Sequence, residues 1–98
     1  MGLIRKLRPV TEKEMKAGLT KLGFSFSSQK GGHEQWTADN PYRKVTVDSH
    51  HAPFHRELFK SMANQAGVSK KELFRCCTEK KYQPDLDKIS RKLNQSKA

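Results

Sequence analysis

The spacing of the hydrophobic residues changes along this chain, and the first spacing is helical. Met15, Leu19 and Leu22 recur at intervals of four and three residues. They follow Thr11 and Glu14, which are spaced as a capping box, the pair of side chains that satisfies the first backbone N–H groups of a helix. A glycine directly after Leu22 is typical of a helix end. The pattern predicts an amphipathic first helix between Thr11 and this glycine.

Alternation of apolar and polar residues then replaces the helical spacing. In the first alternating segment Phe24 and Phe26 share one face, which predicts a half-buried strand. Trp36 is the apolar anchor of the second segment, and Val45 and Val47 are those of the third. We expect a meander of three antiparallel strands, at residues 24–29, 33–38 and 43–47.

Helical spacing returns in the second half of the chain. Phe54, Leu58, Met62 and Ala66 recur every four residues, and Gly67 follows them. This pattern predicts a helix from about Phe54 to Ala66, with an apolar stripe that covers the sheet.

The sequence pattern of the C-terminal third predicts two shorter helices. Ser69 and Glu72 are spaced as a second capping box, which opens a short helix. A basic and polar tail follows, in which a short amphipathic helix is suggested by Leu86, Ile89 and Leu93. The tail could instead be disordered, or fold only against a partner. We therefore expect one domain of residues 1–78 and a basic extension of residues 79–98 that is partly helical or flexible.

The predicted order of helix, three strands and helix defines the fold class. Apolar helix faces and one apolar sheet face bury each other as two layers. We expect an α+β sandwich, with a three-stranded antiparallel meander and the helices on one of its faces, plus the short C-terminal helical extension. This order is also that of double-stranded-RNA-binding domains, which recognise shape and phosphate more than sequence.

The charge of the chain points to an anionic partner. Twenty Lys and Arg against ten Asp and Glu give a formal net charge of +10 over 98 residues. Such an excess predicts that the partner is nucleic acid or an acidic protein. No apolar run approaches the roughly 20 residues of a membrane-spanning helix, and the N-terminal MGLIRKLRPV lacks the apolar core of a signal peptide. We expect a cytoplasmic protein with no membrane partner.

A histidine at a glycine turn is the main candidate for chemistry. If Trp36 faces the helices, strand alternation turns His33 to the open face of the sheet. Gly31 and Gly32 form either a plain hairpin turn or a turn whose N–H groups receive a phosphate. Imidazole titrates at about pH 6.5, so His33 could accept a proton from a 2′-OH of RNA or give one to the departing 5′-oxygen. Basic side chains would hold the RNA backbone, and the candidates are Lys30, Arg43 and Lys44.

Three further histidines and two cysteines raise the question of a metal. His51 and His55 have the i, i+4 spacing of a helical metal pair, but Pro53 interrupts the helix between them and no HExxH glutamate is present. Cys76 and Cys77 are adjacent, which fits neither a CxxC motif nor a structural disulfide. We expect no metal and no cofactor, helix-capping and polar surface roles for these histidines, and a secondary RNA contact at His51.

A set of motifs in residues 18–74 occurs in the same order in a known family. The set comprises a helix that ends in Gly23 and Phe24, a Lys-Gly-x-His turn at 30–33, a Val-Thr-Val strand, a histidine shortly after it, and the segment QAGVSKKEL. Together these motifs resemble the HicA family of toxins. The resemblance implies a double-stranded-RNA-binding-like fold, metal-independent cleavage of mRNA, neutralisation by a HicB-type antitoxin, and His33 as the catalytic histidine.

Two positions depart from the pattern of that family. Many members have Gly-Ser-His-His, where this chain has Gly32 in place of the serine and Glu34 after the histidine. Any role of the serine hydroxyl or of the second histidine is therefore absent, and we expect Glu34 only to cap or to pair with a lysine. One histidine cannot make both proton transfers at once, so a second group is implied that the sequence does not name.

Three hypotheses for the function follow. The leading one is a toxin endoribonuclease, an mRNA interferase in which His33 is the general acid or base and a HicB-type antitoxin is the protein partner. The first alternative is a noncatalytic RNA-binding module, which would bind RNA in a salt-sensitive way and leave it intact. The second is an interaction protein whose positive surface binds an acidic partner. The titratable residue at the glycine turn favours the enzyme.

Overall fold

A computed structural model of the protein describes residues 8–95. The helices and strands follow the predicted order: α1 (Glu12–Lys21), β1 (Ser25–Lys30), β2 (His33–Ala38), β3 (Arg43–Asp48), α2 (Arg56–Ala66), α3 (Lys70–Thr78) and α4 (Leu86–Gln95). A short 3-10 helix between β3 and α2 (Ser49–His51) was not predicted. The predicted α+β class is confirmed.

The start of α1 is the capping box that the sequence predicts. The hydroxyl of Thr11 accepts from the backbone N–H of Glu14 at 3.1 Å, and Oε1 of Glu14 accepts from the N–H of Thr11 at 3.0 Å. The guanidinium of Arg8 donates to both carboxylate oxygens of Glu14, at 3.0 and 2.8 Å. The arginine hydrogen bond, only partly offset by burial, lowers the pKa of Glu14 to about 2. An ionised carboxylate therefore stabilises the first turn of α1.

The three strands form the predicted antiparallel meander, in the order β1-β2-β3. Trp36 in the central strand lies opposite Phe26 on β1 and Val45 on β3. Val45 and Val47 are fully buried, so their face of β3 is the core face.

Alternation along β2 orients its side chains as predicted. The carboxylate of Glu34 accepts from Lys16 Nζ of α1 and from Trp36 Nε1, both at 3.0 Å. These two hydrogen bonds lower the pKa of Glu34. Glu34 therefore faces the helices and pairs with a lysine, and His33, its neighbour in the strand, faces the opposite way.

β1 is an exposed edge strand, whereas the sequence predicted a half-buried one. All six of its residues are exposed, and Phe26 is 51% exposed with its ring 6.3 Å from that of Trp36 in an edge-to-face contact. Phe24 is buried, but it lies just before the strand, in the turn after α1. The alternation was real, but only its first aromatic residue reaches the core.

α2 begins at Arg56, later than the predicted start at Phe54. Phe54 instead pairs with Val10 in an antiparallel bridge, with N–O distances of 2.8 and 3.2 Å. Its spacing to Leu58 therefore reflects shared burial and not a continuous helix. The end of α2 is as predicted, because Gly67 adopts a φ of +79° and closes the helix.

The hydrophobic core lies between the helices and one face of the sheet. Cys76 and Cys77 of α3 are buried in it, and this burial raises the pKa of both thiols to about 12. α1 and α3 pack so closely that a Cβ at Gly18 would lie 2.6 Å from Sγ of Cys77. The sheet contributes Ala38, Val45 and Val47, and the largest fully buried side chains elsewhere include Phe54, Met15, Leu19, Met62 and Leu73.

The C-terminal tail contains a helix, α4, that packs on the domain. Ile89 contacts the core, and the hydroxyl of Ser90 donates to the carbonyl of Asn40. A Cβ at Gly67 would lie 3.0 Å from both δ-carbons of Leu93, so α4 passes close to the end of α2. The amphipathic spacing of the tail therefore reflects a real helix.

Candidate active site

His33 is the first residue of β2 and follows a two-residue hairpin turn. Gly31 has a φ of +60°, a conformation that glycine adopts without steric strain. Gly32 is required for space, because a Cβ there would lie 2.6 Å from Cε1 of the His50 ring. The carbonyl of Gly32 also accepts from the N–H of Ser49 at 3.0 Å. The turn thus packs directly against the segment that follows β3.

His33 lies on the open face of the sheet beside a carboxylate. The strand register places it opposite Lys30 on β1 and Asp48 on β3. Its Nε2 is 2.9 Å from Oδ2 of Asp48, which makes an ion pair when the ring is protonated. The side chain of His33 is 56% exposed, whereas that of Asp48 is 15% exposed. The ring is therefore held on one side and open to a large substrate on the other.

Asp48 is shared by three histidines. Its Oδ2 is also 2.8 Å from Nδ1 of His51, and its Oδ1 accepts from the backbone N–H of His50 at 3.0 Å. The ring of His50 is farther away, with Nδ1 3.6 Å from Oδ1. Burial raises the pKa of Asp48, but the His50 backbone hydrogen bond, the His51 hydrogen bond and the histidine charges outweigh it and leave the pKa below its usual value. Asp48 is therefore ionised at neutral pH.

The two rings that contact Oδ2 of Asp48 line one cavity of about 240 Å³. The cavity lies where the edge of β3 meets α2. A hydrogen bond of 3.1 Å from the N–H of Thr46 to Oε1 of Gln65 joins these two elements. The lining of the cavity combines apolar and titratable side chains. The residues that line it are His33, Thr46, Asp48, His51, Phe54, Leu58, Met62 and Gln65.

This arrangement is suited to proton transfer. A carboxylate that accepts from one imidazole N–H fixes the tautomer of the ring and leaves a lone pair on the other nitrogen. That other nitrogen is Nδ1 in His33 and Nε2 in His51, and neither has a hydrogen-bond partner within residues 8–95. The carboxylate also stabilises the positive charge when a ring takes up a proton. The cluster can therefore accept and deliver protons at one exposed place.

The structure brings together most of the residues predicted to contact RNA. Lys44 is exposed on the open face, but it pairs with Thr37, four residues beyond His33 on β2. At the usual rise per residue of a strand, this separation is about 13 Å. The other predicted residues lie at the turn or at the cluster: Lys30, Gly31, Gly32 and His51.

Arg43, like Lys44, is a predicted residue that the structure does not bring to His33. Its guanidinium donates to the carbonyl of Ala66 at 3.1 Å, at the end of α2, and to that of Pro41 at 3.1 Å. Its Cζ lies 5.1 Å from the centre of the Phe24 ring. Burial lowers the pKa of Arg43. These contacts connect the start of β3 to the C-terminus of α2.

The histidines do not surround a metal position. Within the part of the chain that the structure describes, no three His, Cys, Asp or Glu side chains are placed to bind a metal ion. His51 ends the 3-10 helix, and His55 lies beyond it at the N-cap of α2, without a capping hydrogen bond from its side chain. Their i, i+4 spacing therefore does not correspond to one helix.

Asp48 is the residue of this candidate site that the sequence pattern did not identify. The alternation of Val45 and Val47 extends by one residue to Asp48 and turns it to the open face, and this was the available signal. Nothing in the alternation says which residue of β2 lies opposite, because a shift of two residues preserves every face. The contact with His33 thus depends on the strand register.

The fold and the cluster define a class of protein: a small basic α+β domain with an exposed histidine–aspartate cluster on the open face of its sheet. Residues 13–68, more than half of the chain, match the family model described as the HicA toxin of bacterial toxin-antitoxin. The chain belongs to the HicA toxin family, and it is a toxin of a toxin–antitoxin system with an antitoxin as its partner. No curated protein and no solved structure matches it. None of the helices within residues 8–95 has the length and apolar character needed to cross a membrane.

Proposed function

We propose that the protein is an endoribonuclease that cleaves mRNA without a metal, with His33 as a general acid or base. The observation that supports this proposal is the contact of an exposed histidine with an ionised carboxylate, Nε2 of His33 to Oδ2 of Asp48 at 2.9 Å, directly after a glycine turn. In this proposal cleavage occurs in the cytoplasm and stops translation and growth. A HicB-type antitoxin neutralises the toxin by binding it.

Basic side chains near the turn would hold the RNA. Lys30 lies opposite His33 and is exposed, so its ammonium group is available to a phosphate next to the cleaved bond. Lys44 would contact the backbone farther along the strand. The net charge of +10 adds an attraction for RNA that does not depend on sequence. We assign Arg43 a structural part, because its donors are already used within the fold.

The test is RNA cleavage by the purified protein in EDTA, with wild type compared with His33→Ala. We expect wild type to cleave and the variant to lose about 100- to 10,000-fold in rate, which is the usual contribution of a general acid or base. His55→Ala is the matched control, because this histidine is exposed and does not contact Asp48. Circular dichroism establishes that both variants fold.

Each other outcome has a definite meaning. Cleavage by His33→Ala at the wild-type rate would contradict the role of His33. Dependence on an added metal would contradict metal-independent chemistry. RNA that is bound but left intact by wild type would identify a noncatalytic RNA-binding module.

A further inference from the structure

The two proton transfers of RNA cleavage require two groups, and one histidine supplies one of them. We propose that His51 is the second proton-transfer group, and that Asp48 is a positioning residue shared by His33 and His51. This inference rests on the proposed endoribonuclease function. It reassigns His51, which the sequence analysis treated as a secondary RNA contact.

The reaction defines what the second group must do. The 2′-oxygen forms a bond to phosphorus while the bond from phosphorus to the 5′-oxygen breaks, which leaves a 2′,3′-cyclic phosphate and a 5′-hydroxyl. A neutral ring takes the proton of the 2′-OH, and a protonated ring gives its proton to the departing 5′-oxygen. The two rings end with their protonation states exchanged, so no oxidant, reductant or metal is needed.

The geometry puts two rings on one carboxylate oxygen. Oδ2 of Asp48 is 2.9 Å from Nε2 of His33 and 2.8 Å from Nδ1 of His51. Each ring therefore uses one nitrogen to contact Asp48 and presents the other to the surroundings. The side chains are 56% and 67% exposed, so both are accessible to RNA.

The charge of the cluster is consistent with one histidine acting as the base and the other as the acid. The reaction needs one neutral and one protonated ring at the same time. Asp48 has a single negative charge, which balances one imidazolium, and a second positive charge at the same oxygen would be repelled by the first. The charged groups that contact Asp48 are His33, His50 and His51, and Lys30 lies on the far side of His33.

The structure distinguishes His51 from the other two candidates on its segment. The ring of His50 lies over Gly32, and its Nδ1 is 3.6 Å from Oδ1 of Asp48, on the oxygen that His33 does not contact. His55 stands at the start of α2 and does not contact Asp48. Of the histidines within residues 8–95, His33 and His51 are the two that line the cavity at the edge of β3.

The experiment measures kcat at saturating RNA for His51→Ala and His51→Gln, with His55→Ala as the control. Glutamine can still donate an N–H to Asp48, but it does not titrate. We expect both His51 variants to lose about 100- to 10,000-fold in kcat with little change in KM, and His55→Ala to match wild type. Wild-type kcat in His51→Ala, a loss confined to KM, or normal kcat in His51→Gln would overturn the proposal.

A second substrate tests the division of roles directly. In RNA with sulfur in place of the 5′-bridging oxygen, the leaving group departs as a thiolate and needs no proton. The variant that lacks the general acid should then regain most of its rate, and the variant that lacks the general base should not. We expect recovery in one of His33→Ala and His51→Ala, and recovery in neither would overturn the proposal.

Failure of this inference is distinguishable from failure of the proposed function. If wild type does not cleave RNA, the proposed function is wrong and the assignment of His51, which rests on it, is wrong as well. If wild type cleaves, His33→Ala is inactive and His51→Ala is fully active, then the endoribonuclease stands and His51 is not the second group.

Discussion

Among single residues, Asp48 differs from the other acidic side chains in the partners of its ion pairs. Within residues 8–95, Glu12, Glu14, Glu34 and Glu79 pair with lysine or arginine, whereas Asp48 pairs with histidines. Lysine and arginine keep their protons near neutral pH, but histidine exchanges them. The contacts of Asp48 can therefore change during a reaction, and those of the glutamates serve the fold.

The charge of Asp48 can be tested without changing its shape. In Asp48→Asn the amide oxygen still accepts from the backbone N–H of His50, so the 3-10 helix after β3 should persist. The negative charge that orients and stabilises an imidazolium is lost. We expect kcat for RNA cleavage to fall by about 100-fold or more with KM nearly unchanged.

The controls for Asp48→Asn are the circular dichroism spectrum and the melting temperature, which should stay close to those of wild type. A folded variant with wild-type kcat would show that Asp48 positions nothing that matters to the chemistry. The pKa of Asp48 lies below its usual value, so its protonation does not contribute to the pH dependence of wild type above about pH 5.

At the scale of elements, the sequence was most informative where a side chain satisfies the backbone next to it. The capping box of α1, the Ser69 cap of α3 and the glycine that closes α2 are all present at the predicted residues. The second capping box is only half formed, because the carboxylate of Glu72 accepts from the hydroxyl of Tyr82 instead of from the backbone N–H of Ser69. Capping depends on residues close in sequence, but a side chain brought near by the tertiary structure can replace one of the two capping hydrogen bonds.

The cap of α1 predicts a pH-dependent stability. Glu14→Gln keeps an oxygen for the N–H of Thr11 but loses the ion pair with Arg8, and we expect a loss of about 1 kcal/mol in the free energy of unfolding at pH 7. The pKa of Glu14 is lowered from 4.5 to about 2 in the folded protein. The contribution of the ionised Glu14 carboxylate to the free energy of unfolding is therefore complete above pH 4.5, and it disappears as the pH falls through about 2.

Urea unfolding of wild type and Glu14→Gln between pH 7 and pH 2 measures this difference. Glu12→Gln is the matched control in the same turn, because Glu12 pairs with Lys16 at the helix surface and not with Arg8. A difference for Glu14→Gln that stayed constant down to pH 2 would contradict the ion pair as its cause.

At the scale of the whole molecule, the number of cations available to RNA depends on where the basic residues lie as well as on how many there are. Some cations are used within the fold: Lys21 donates to the carbonyls of Glu79 and Lys80 at 2.6 and 3.0 Å, and Arg43 donates to the end of α2. Lys30 is exposed beside the candidate catalytic histidine. Net charge alone therefore overstates how many cations are available to RNA.

The salt dependence of RNA binding distinguishes these two kinds of lysine. Each phosphate contact to single-stranded RNA adds about 0.7 to the slope of log K against log salt concentration. We expect Lys30→Ala to reduce the slope by about this amount and Lys21→Ala to leave it unchanged, in binding measured with His33→Ala so that the RNA stays intact. Equal slopes for His33→Ala with and without Lys30→Ala would exclude a phosphate contact at Lys30.

The type and order of the helices and strands, the two-layer class, and the face on which His33 lies could all be predicted from the sequence. These features depend on spacing within one segment: 3.6 residues per turn in a helix, two per repeat in a strand, and caps at fixed offsets. The amphipathic spacing of the tail likewise suggested α4, although its composition also fits a tail that is disordered or folds only against a partner.

Which segments contact one another could not be predicted from these local patterns, because it depends on the packing of the whole chain. The hairpins set a register that brings Asp48 and His51 to His33, the bridge of Val10 to Phe54 delays the start of α2, and Arg43 turns to the end of α2. A strand that shifts by two residues keeps its buried face and changes every neighbour across the sheet. The hydrophobic pattern therefore orients the histidine, and the pairing of distant segments gives it the carboxylate and the second ring.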